Sequence, residues 1–87
     1  MSDADTPTVQ VFTAEDCGRC PTVIELVSEL TTDRSIAVEV LDVEEDRRVA
    51  LRAGVLSVPT VVVGDEQFRG VPDRERLETA IAAAEST

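Results

Sequence analysis

The sequence contains no lysine, no histidine, no tryptophan and no tyrosine. All eight bases are arginine, and they face eighteen acids, which gives a formal charge of −10 for 87 residues. A surface this acidic argues against binding of nucleic acid or of anionic lipid, because both require cationic side chains. No apolar run approaches the roughly 20 residues of a membrane helix. The first five residues are acidic and unlike a signal peptide, so we expect a cytoplasmic protein.

The excess of acids has two interpretations. Acidic side chains keep a small domain soluble in any cytosol. In a salt-rich cytosol, dense carboxylates also hold water while salt screens their mutual repulsion. The total lack of lysine favours the second interpretation, adaptation to high salt.

The pattern of apolar residues predicts one α/β domain over residues 8–85, preceded by a disordered acidic leader over residues 1–7. Residues 85–87 are expected to fray. The predicted order is β-α-β-α-β-β-α. Strands are expected over 8–13, 36–43, 59–63 and 67–70, and helices over 20–32, after the acids 44–46 as far as 53, and over 74–85.

Connection rules then give the topology. Two strands joined through a helix are parallel, and the last two form an antiparallel hairpin through Gly64 and Asp65. The result is a four-stranded mixed sheet with helices on both faces. The nearly continuous apolar run 36–43 predicts a strand that is covered on both faces. Gly54 is the expected stop of the second helix and Asp73 the expected N-cap of the third.

The two cysteines form the motif Cys17-Gly18-Arg19-Cys20, placed between a predicted strand and a predicted helix. Unpaired N–H groups and the helix dipole at a helix N-terminus favour a negative charge, which lowers the pKa of a thiol there. Two intervening residues let the thiols close a disulfide. The motif therefore predicts a redox dithiol in which Cys17 attacks and Cys20 resolves the mixed disulfide.

Other uses of the pair stay open. A purely structural disulfide is disfavoured because it would close a very short loop. A zinc site needs four ligands, and one chain offers two cysteines and no histidine. A metal or iron–sulfur cluster shared by two chains would supply four thiolates.

Four short segments, taken in order, resemble the thioredoxin/glutaredoxin superfamily: residues 11–13, the run from Cys17 to Pro21, residues 58–60 and residues 70–72. The resemblance is closest to the small archaeal thioredoxin-like, or glutaredoxin-like, redoxins and covers about residues 8–84. It implies a thioredoxin-like fold of minimal, glutaredoxin size. Gly18, Arg19 and Pro21 then belong to the active-site loop.

The same resemblance implies a groove for substrate. Pro59 is expected to be cis and to face the dithiol, and the backbone of Val58 is expected to pair with a substrate strand. Thr60, Gly70 and Val71 are expected to complete this groove.

Departures from the family pattern concern proton transfer and charge. Asp16 and Val11 stand where larger thioredoxins carry a tryptophan and a buried aspartate, and Val40 replaces the lysine that partners that aspartate. Solvent is therefore expected to deprotonate the resolving thiol. Asp42 is an alternative base, although a solvated strand end is the simpler interpretation. A cluster of three arginines in the second helix is expected to be a solvated face: Arg47, Arg48 and Arg52.

Taken together, the sequence predicts a monomeric thiol–disulfide oxidoreductase that reduces protein disulfides and needs no bound cofactor and no metal. The resemblance implies an enzyme of the thioredoxin-reductase type as its electron donor. Two alternatives remain. One is a glutaredoxin-like reductase of mixed disulfides with a small thiol, and the other is a carrier module whose dithiol holds a metal or a persulfide.

Overall fold

The computed structural model describes residues 7–86 and has the predicted order of elements. Its strands and helices are β1 (Thr8–Thr13), α1 (Cys20–Thr31), β2 (Ala37–Asp42), α2 (Arg47–Ala53), β3 (Thr60–Val63), β4 (Glu66–Arg69) and α3 (Arg74–Ser86). The expected acidic leader lies outside the described residues, except for Pro7. The carbonyl of Pro7 accepts the N–H of Ala37 at 3.1 Å and so extends the pairing of β1 with β2.

The four strands form one mixed sheet in the order β2-β1-β3-β4. β1 is parallel to β2 and antiparallel to β3, and β3 and β4 form the expected hairpin. The loop that carries the cysteines leaves the C-terminal end of β1, where β3 begins opposite, because Phe12 pairs with Thr60. The topology therefore brings the cysteine loop and the start of β3 together at one edge of the sheet.

The main core fills the face of the sheet that α1 and α3 cover. Helical spacing puts one face of each helix against the alternate residues of β1 and β3 that point this way. Its buried members are Val9, Val11, Val23, Val27, Leu30, Val61, Val63, Leu77, Ala80 and Ile81. Each fully buried side chain of this size contributes about 1.5–3 kcal/mol, so this face supplies most of the apolar stabilisation.

A smaller core lies on the opposite face, beneath α2. Phe12 points to this side of β1 and packs against Ala50 of α2 and Val55 of the following loop. Val58 and Val62 are partly buried against the same cluster. Helices thus cover both faces of the sheet, as predicted.

The prediction that the second strand is covered on both faces was wrong. β2 is an edge strand, and Val38 and Val40 are 38% and 52% exposed. The apolar run reflects the preference of β-branched residues for strands and not double-sided burial.

The ends of the helices follow the predicted capping residues. Gly54 ends α2 with φ 73°, a left-handed conformation that glycine adopts without steric cost. The carboxylate of Asp73 accepts the N–H of Arg76 at 3.1 Å and caps α3. In the turn before α2, the carboxylate of Asp42 accepts the N–H groups of Glu44 and Glu45.

Ion pairs join the helices of the main core at the end of α1 that lies far from the cysteines. Arg34 contacts Glu85 at 2.9 Å and Glu78 at 3.8 Å, and Arg74 contacts Glu29 at 3.0 Å. The expectation that residues 85–87 fray was wrong for Glu85. Its carboxylate also accepts the N–H of Ser35 at 2.8 Å, which fixes the last turn of α3 to the α1–β2 turn.

Candidate active site

The loop after β1 is folded by its own backbone into a tight lead-in to α1. The N–H of Cys17 donates to the carbonyl of Ala14 at 3.2 Å, and the N–H of Cys20 donates to the carbonyl of Cys17 at 3.4 Å. Cys20 is the first residue of α1, and Pro21 follows in the first turn, where its missing N–H costs nothing. The sequence therefore holds both sulfurs at the junction of strand and helix.

Cys17 and Cys20 form a disulfide, with a Cα–Cα distance of 5.4 Å. The two residues differ in access to solvent. Cys20 is 4% exposed, whereas Cys17 is half-buried. Cys17 is therefore the more accessible of the two cysteines.

Cys17 lies just before α1, between the acids Glu15 and Asp16 and the base Arg19. Arg19 occupies the N-cap position, and its side chain forms no capping hydrogen bond there. The dipole of α1 favours a negative charge at this end of the helix. Reduction of the disulfide would place a thiolate in that field, the reactive form of the group.

Pro59 lies against the dithiol as expected. The Val58–Pro59 peptide bond is cis, and Pro59 is buried. A cavity of about 410 Å³ lies between this segment and the cysteine loop. It is lined by Ala14, Asp16, Cys17, Gly18, Arg19, Val58 and Pro59.

Two hydrogen bonds fix the segment that carries Pro59. The hydroxyl of Thr60, which is 1% exposed, donates to the carbonyl of Ser57 at 2.7 Å. The N–H of Gly70 donates to the carbonyl of Pro59 at 2.9 Å. Gly70 has φ 75°, so a residue with a side chain would be strained in this turn. Thr60 and Gly70 therefore support the cavity from behind and do not line it.

The remaining expected groove residue lies elsewhere. Val71 lines a second cavity of about 280 Å³, beside β4 and the start of α3. Pro21 is exposed in the first turn of α1, outside the lining of the dithiol cavity. Conversely, Ala14 and Asp16 line that cavity although they were not among the predicted groove residues. Both residues lie within three positions of Cys17, and this nearness in the sequence was the signal that could have identified them.

Two paired valines stand at the positions where the family pattern has a buried acid and its basic partner. Val11 and Val40 are neighbours in the register of β1 and β2, and Val11 is fully buried. Asp42 is held by the N–H groups of Glu44 and Glu45. These bonds give its carboxylate a local structural role in the turn that precedes α2.

Two features are absent from residues 7–86. These residues contain no group of three or more acidic, cysteine or histidine side chains arranged to hold a metal ion. None of their helices is both long and apolar enough to span a bilayer.

A redox dithiol where β1 meets α1, facing a cis proline at the start of an antiparallel strand, defines the class of protein as a thiol–disulfide oxidoreductase. Comparison with known proteins agrees. The chain is 37% identical over 76 residues to thioredoxin of Methanocaldococcus jannaschii, which covers 84% of this chain and 89% of the relative. It is 38% identical over 76 residues to a probable thioredoxin of Methanothermobacter thermautotrophicus, with the same coverage.

A solved structure shares the fold. A mutant thioredoxin from Halobacterium salinarum NRC-1 superposes with a TM-score of 0.82 at 28% identity, covering 97% of this chain and 79% of that one. The family model of the thioredoxin domain matches residues 7–82. The chain belongs to the thioredoxin domain family, whose members work through their own redox-active disulfide.

Proposed function

We propose that this chain is a protein-disulfide reductase and electron carrier in which Cys17 is the nucleophile and Cys20 the resolving thiol. The difference in exposure between the two cysteines is the observation that supports this assignment most directly. Cys17 borders the open cavity, and Cys20 lies behind it at the first residue of α1.

The exchange runs in two steps. The thiolate of Cys17 attacks one sulfur of the substrate disulfide, and the other substrate sulfur leaves as a thiolate and takes a proton from water. Cys20, once deprotonated, attacks the sulfur of Cys17, which releases the second substrate thiolate and forms the Cys17–Cys20 disulfide. Two electrons pass to the substrate, and two electrons from a reductase restore the dithiol.

The cavity explains how the substrate disulfide is positioned over Cys17. Gly18 presents no side chain beside the attacking sulfur, and a Cβ built on it would contact nothing within 4 Å. The backbone of Val58, next to Pro59, pairs with an extended segment of substrate and so aligns the scissile disulfide over Cys17. The family resemblance supports a cytoplasmic protein whose electrons come from an enzyme of the thioredoxin-reductase type.

Replacement of each cysteine by serine tests the roles. Insulin reduction should be lost in both Cys17→Ser and Cys20→Ser, but only Cys20→Ser should accumulate a mixed disulfide with substrate, detectable by mass spectrometry. The two variants are matched controls, since each removes one thiol from the same loop. Reductase activity that persists in Cys17→Ser would refute the assignment.

A potential measured in equilibrium with a thiol buffer gives the direction of electron flow. A value near about −270 mV corresponds to a reductant and one near about −120 mV to an oxidant. Turnover with a thioredoxin-reductase type enzyme, compared with turnover driven by a small thiol alone, separates this function from that of a glutaredoxin-like reductase.

A further inference from the structure

One short segment combines two unusual surface features. Three of the eight arginines of the chain fall within α2: Arg47, Arg48 and Arg52. Among the described residues, the two most exposed large apolar side chains lie in or just after the same helix, namely Leu51 at 68% and Leu56 at 82%. Arginine is enriched at protein interfaces.

The helix presents these side chains outward on one face. Ala50 is buried against Phe12, which fixes the inner face of α2. Arg48 lies three residues before Leu51 and four before Arg52, so it neighbours both on the exposed face. An apolar side chain and a second guanidinium group therefore lie on either side of Arg48.

The fold makes no use of these charges. The ion pairs found among residues 7–86 involve Arg34 and Arg74, and none involves an arginine of α2. The nearest acids in the sequence, Glu44 to Asp46, precede the helix at its opposite end from Leu56.

A short stretch of chain connects this surface to the dithiol cavity. Val58 lines the cavity together with Cys17 and also packs on the Phe12 cluster that supports α2. Leu56 is two residues from Val58, so their Cα atoms lie within about 7 Å. A substrate strand that pairs with Val58 has the α2 surface as its neighbour.

We propose that Arg48, Leu51, Arg52 and Leu56 form a docking surface for the acidic flank of a disulfide-bearing protein. The inference rests on the proposed function and names the class of partner: a protein with carboxylates and an apolar side chain next to its disulfide. The chain has a net charge of −10, and the positive charge of this local patch lets an acidic partner approach it. Charge attraction mainly speeds encounter, so the effect belongs in kcat/KM and weakens with salt.

Matched peptide substrates provide the test. One carries an internal disulfide followed by an arm of Asp, Glu and Leu residues, and the other has the same arm with Asn and Gln in place of the acids. At 0.15 M KCl, kcat/KM for the acidic arm should exceed that for the amide arm by about 3- to 10-fold, the scale of two exposed charge pairs. The ratio should approach one at 1 M KCl, and kcat should be the same for both arms.

Two pairs of arginine substitutions test whether the preference for the acidic arm arises at this surface. Arg48→Gln with Arg52→Gln should abolish the preference, whereas Arg69→Gln with Arg76→Gln changes the net charge equally and should retain it. Circular dichroism of each variant verifies the fold at both salt concentrations. Turnover of the amide-arm peptide by the wild-type protein is the internal reference. If the wild-type protein does not reduce this peptide, the proposed function itself is refuted.

Two results would overturn the docking surface alone. One is equal kcat/KM for the two arms while both peptides are reduced. The other is equal loss of preference in the two double variants, which would mean that net charge and not this patch acts. Inhibition by a short DNA oligonucleotide that depends on Arg48 and Arg52, without any preference for the acidic arm, would instead identify a polyanion site and contradict a protein partner.

Discussion

Cys17 and Cys20 lie 5.4 Å apart between Cα atoms, yet one is half-buried at the edge of a cavity and the other is 4% exposed behind it. The difference arises because Cys20 begins α1, whose inner face packs on the sheet, while Cys17 belongs to the loop before it. A partner therefore has access to the sulfur of Cys17 and little access to that of Cys20.

This asymmetry predicts the order of alkylation. In the reduced protein, iodoacetamide at neutral pH should modify Cys17 first and faster than it modifies free cysteine, because the helix N-terminus favours the thiolate. Peptide mapping after short exposures identifies the modified residue. The urea-unfolded chain is the control, in which both cysteines should react at similar rates. Preferential labelling of Cys20 would reverse the proposed roles.

The hydroxyl of Thr60 should contribute to the stability of the segment around Pro59. Thr60→Val keeps the shape of the side chain but leaves the carbonyl of Ser57 without its buried donor. We expect a loss of about 1–3 kcal/mol in the free energy of unfolding, measured by urea denaturation.

Thr79 offers a matched control for that substitution. Its hydroxyl donates to the carbonyl of Glu75 at 2.9 Å on the exposed side of α3. Thr79→Val should change stability by no more than about 0.5 kcal/mol, because water replaces the lost partner. Equal losses in the free energy of unfolding at the two positions would show that burial does not raise the contribution of the Thr60 hydrogen bond.

Glu85 should make the stability depend on pH. The N–H of Ser35 and then the guanidinium of Arg34 hold the pKa of this carboxyl below its ordinary value of 4.5. A group whose pKa is lowered by folding stabilises the native state above its unfolded pKa and loses that effect as the pH falls through the folded value. The difference in melting temperature between wild type and Glu85→Gln should therefore be largest near neutral pH and shrink below about pH 4.5.

Thermal melts at several pH values measure that difference. Glu25→Gln is a suitable control, because Glu25 is exposed on α1 and its side chain has no hydrogen bond or ion pair with the other described residues. A Glu85→Gln difference that grows toward acid pH would contradict the assigned sign.

The acid excess predicts stabilisation by salt. At 1 M salt the Debye length falls to about 3 Å, so repulsion among the eighteen acids is screened. The melting temperature should rise between low and molar KCl. Sucrose stabilises proteins because it is excluded from their surface, and it does not screen charge. A melt in sucrose therefore shows how much stabilisation arises without screening. A melting temperature that is flat in KCl would refute adaptation to high salt.

Local patterns predicted the order of elements and the dithiol because both are written in short segments. Helical spacing in α1 and α3, Gly54 at the end of α2 and Asp73 before α3 each act within a few residues. The family resemblance added the cis peptide bond before Pro59, which local propensity does not indicate.

Features that depend on distant parts of the chain escaped prediction. The exposure of Val40 follows from the position of β2 at the edge of the sheet, which its own sequence does not encode. The contact of Arg34 with Glu85 spans 51 positions and fixes an end that composition marked as frayed. Val71 lies in a separate cavity because the chain turns away after Gly70, toward α3.

The exposed position of β2 has one more consequence. The N–H groups of Ala37 and Val43 bond to Pro7 and Thr13, so the alternate residues Val38 and Val40 aim their peptide groups away from β1. Among residues 7–86, no strand pairs with this side of β2, which lies remote from β3 and the cis proline. An extended peptide that pairs with these groups would lengthen the sheet at the edge opposite to the hairpin of β3 and β4.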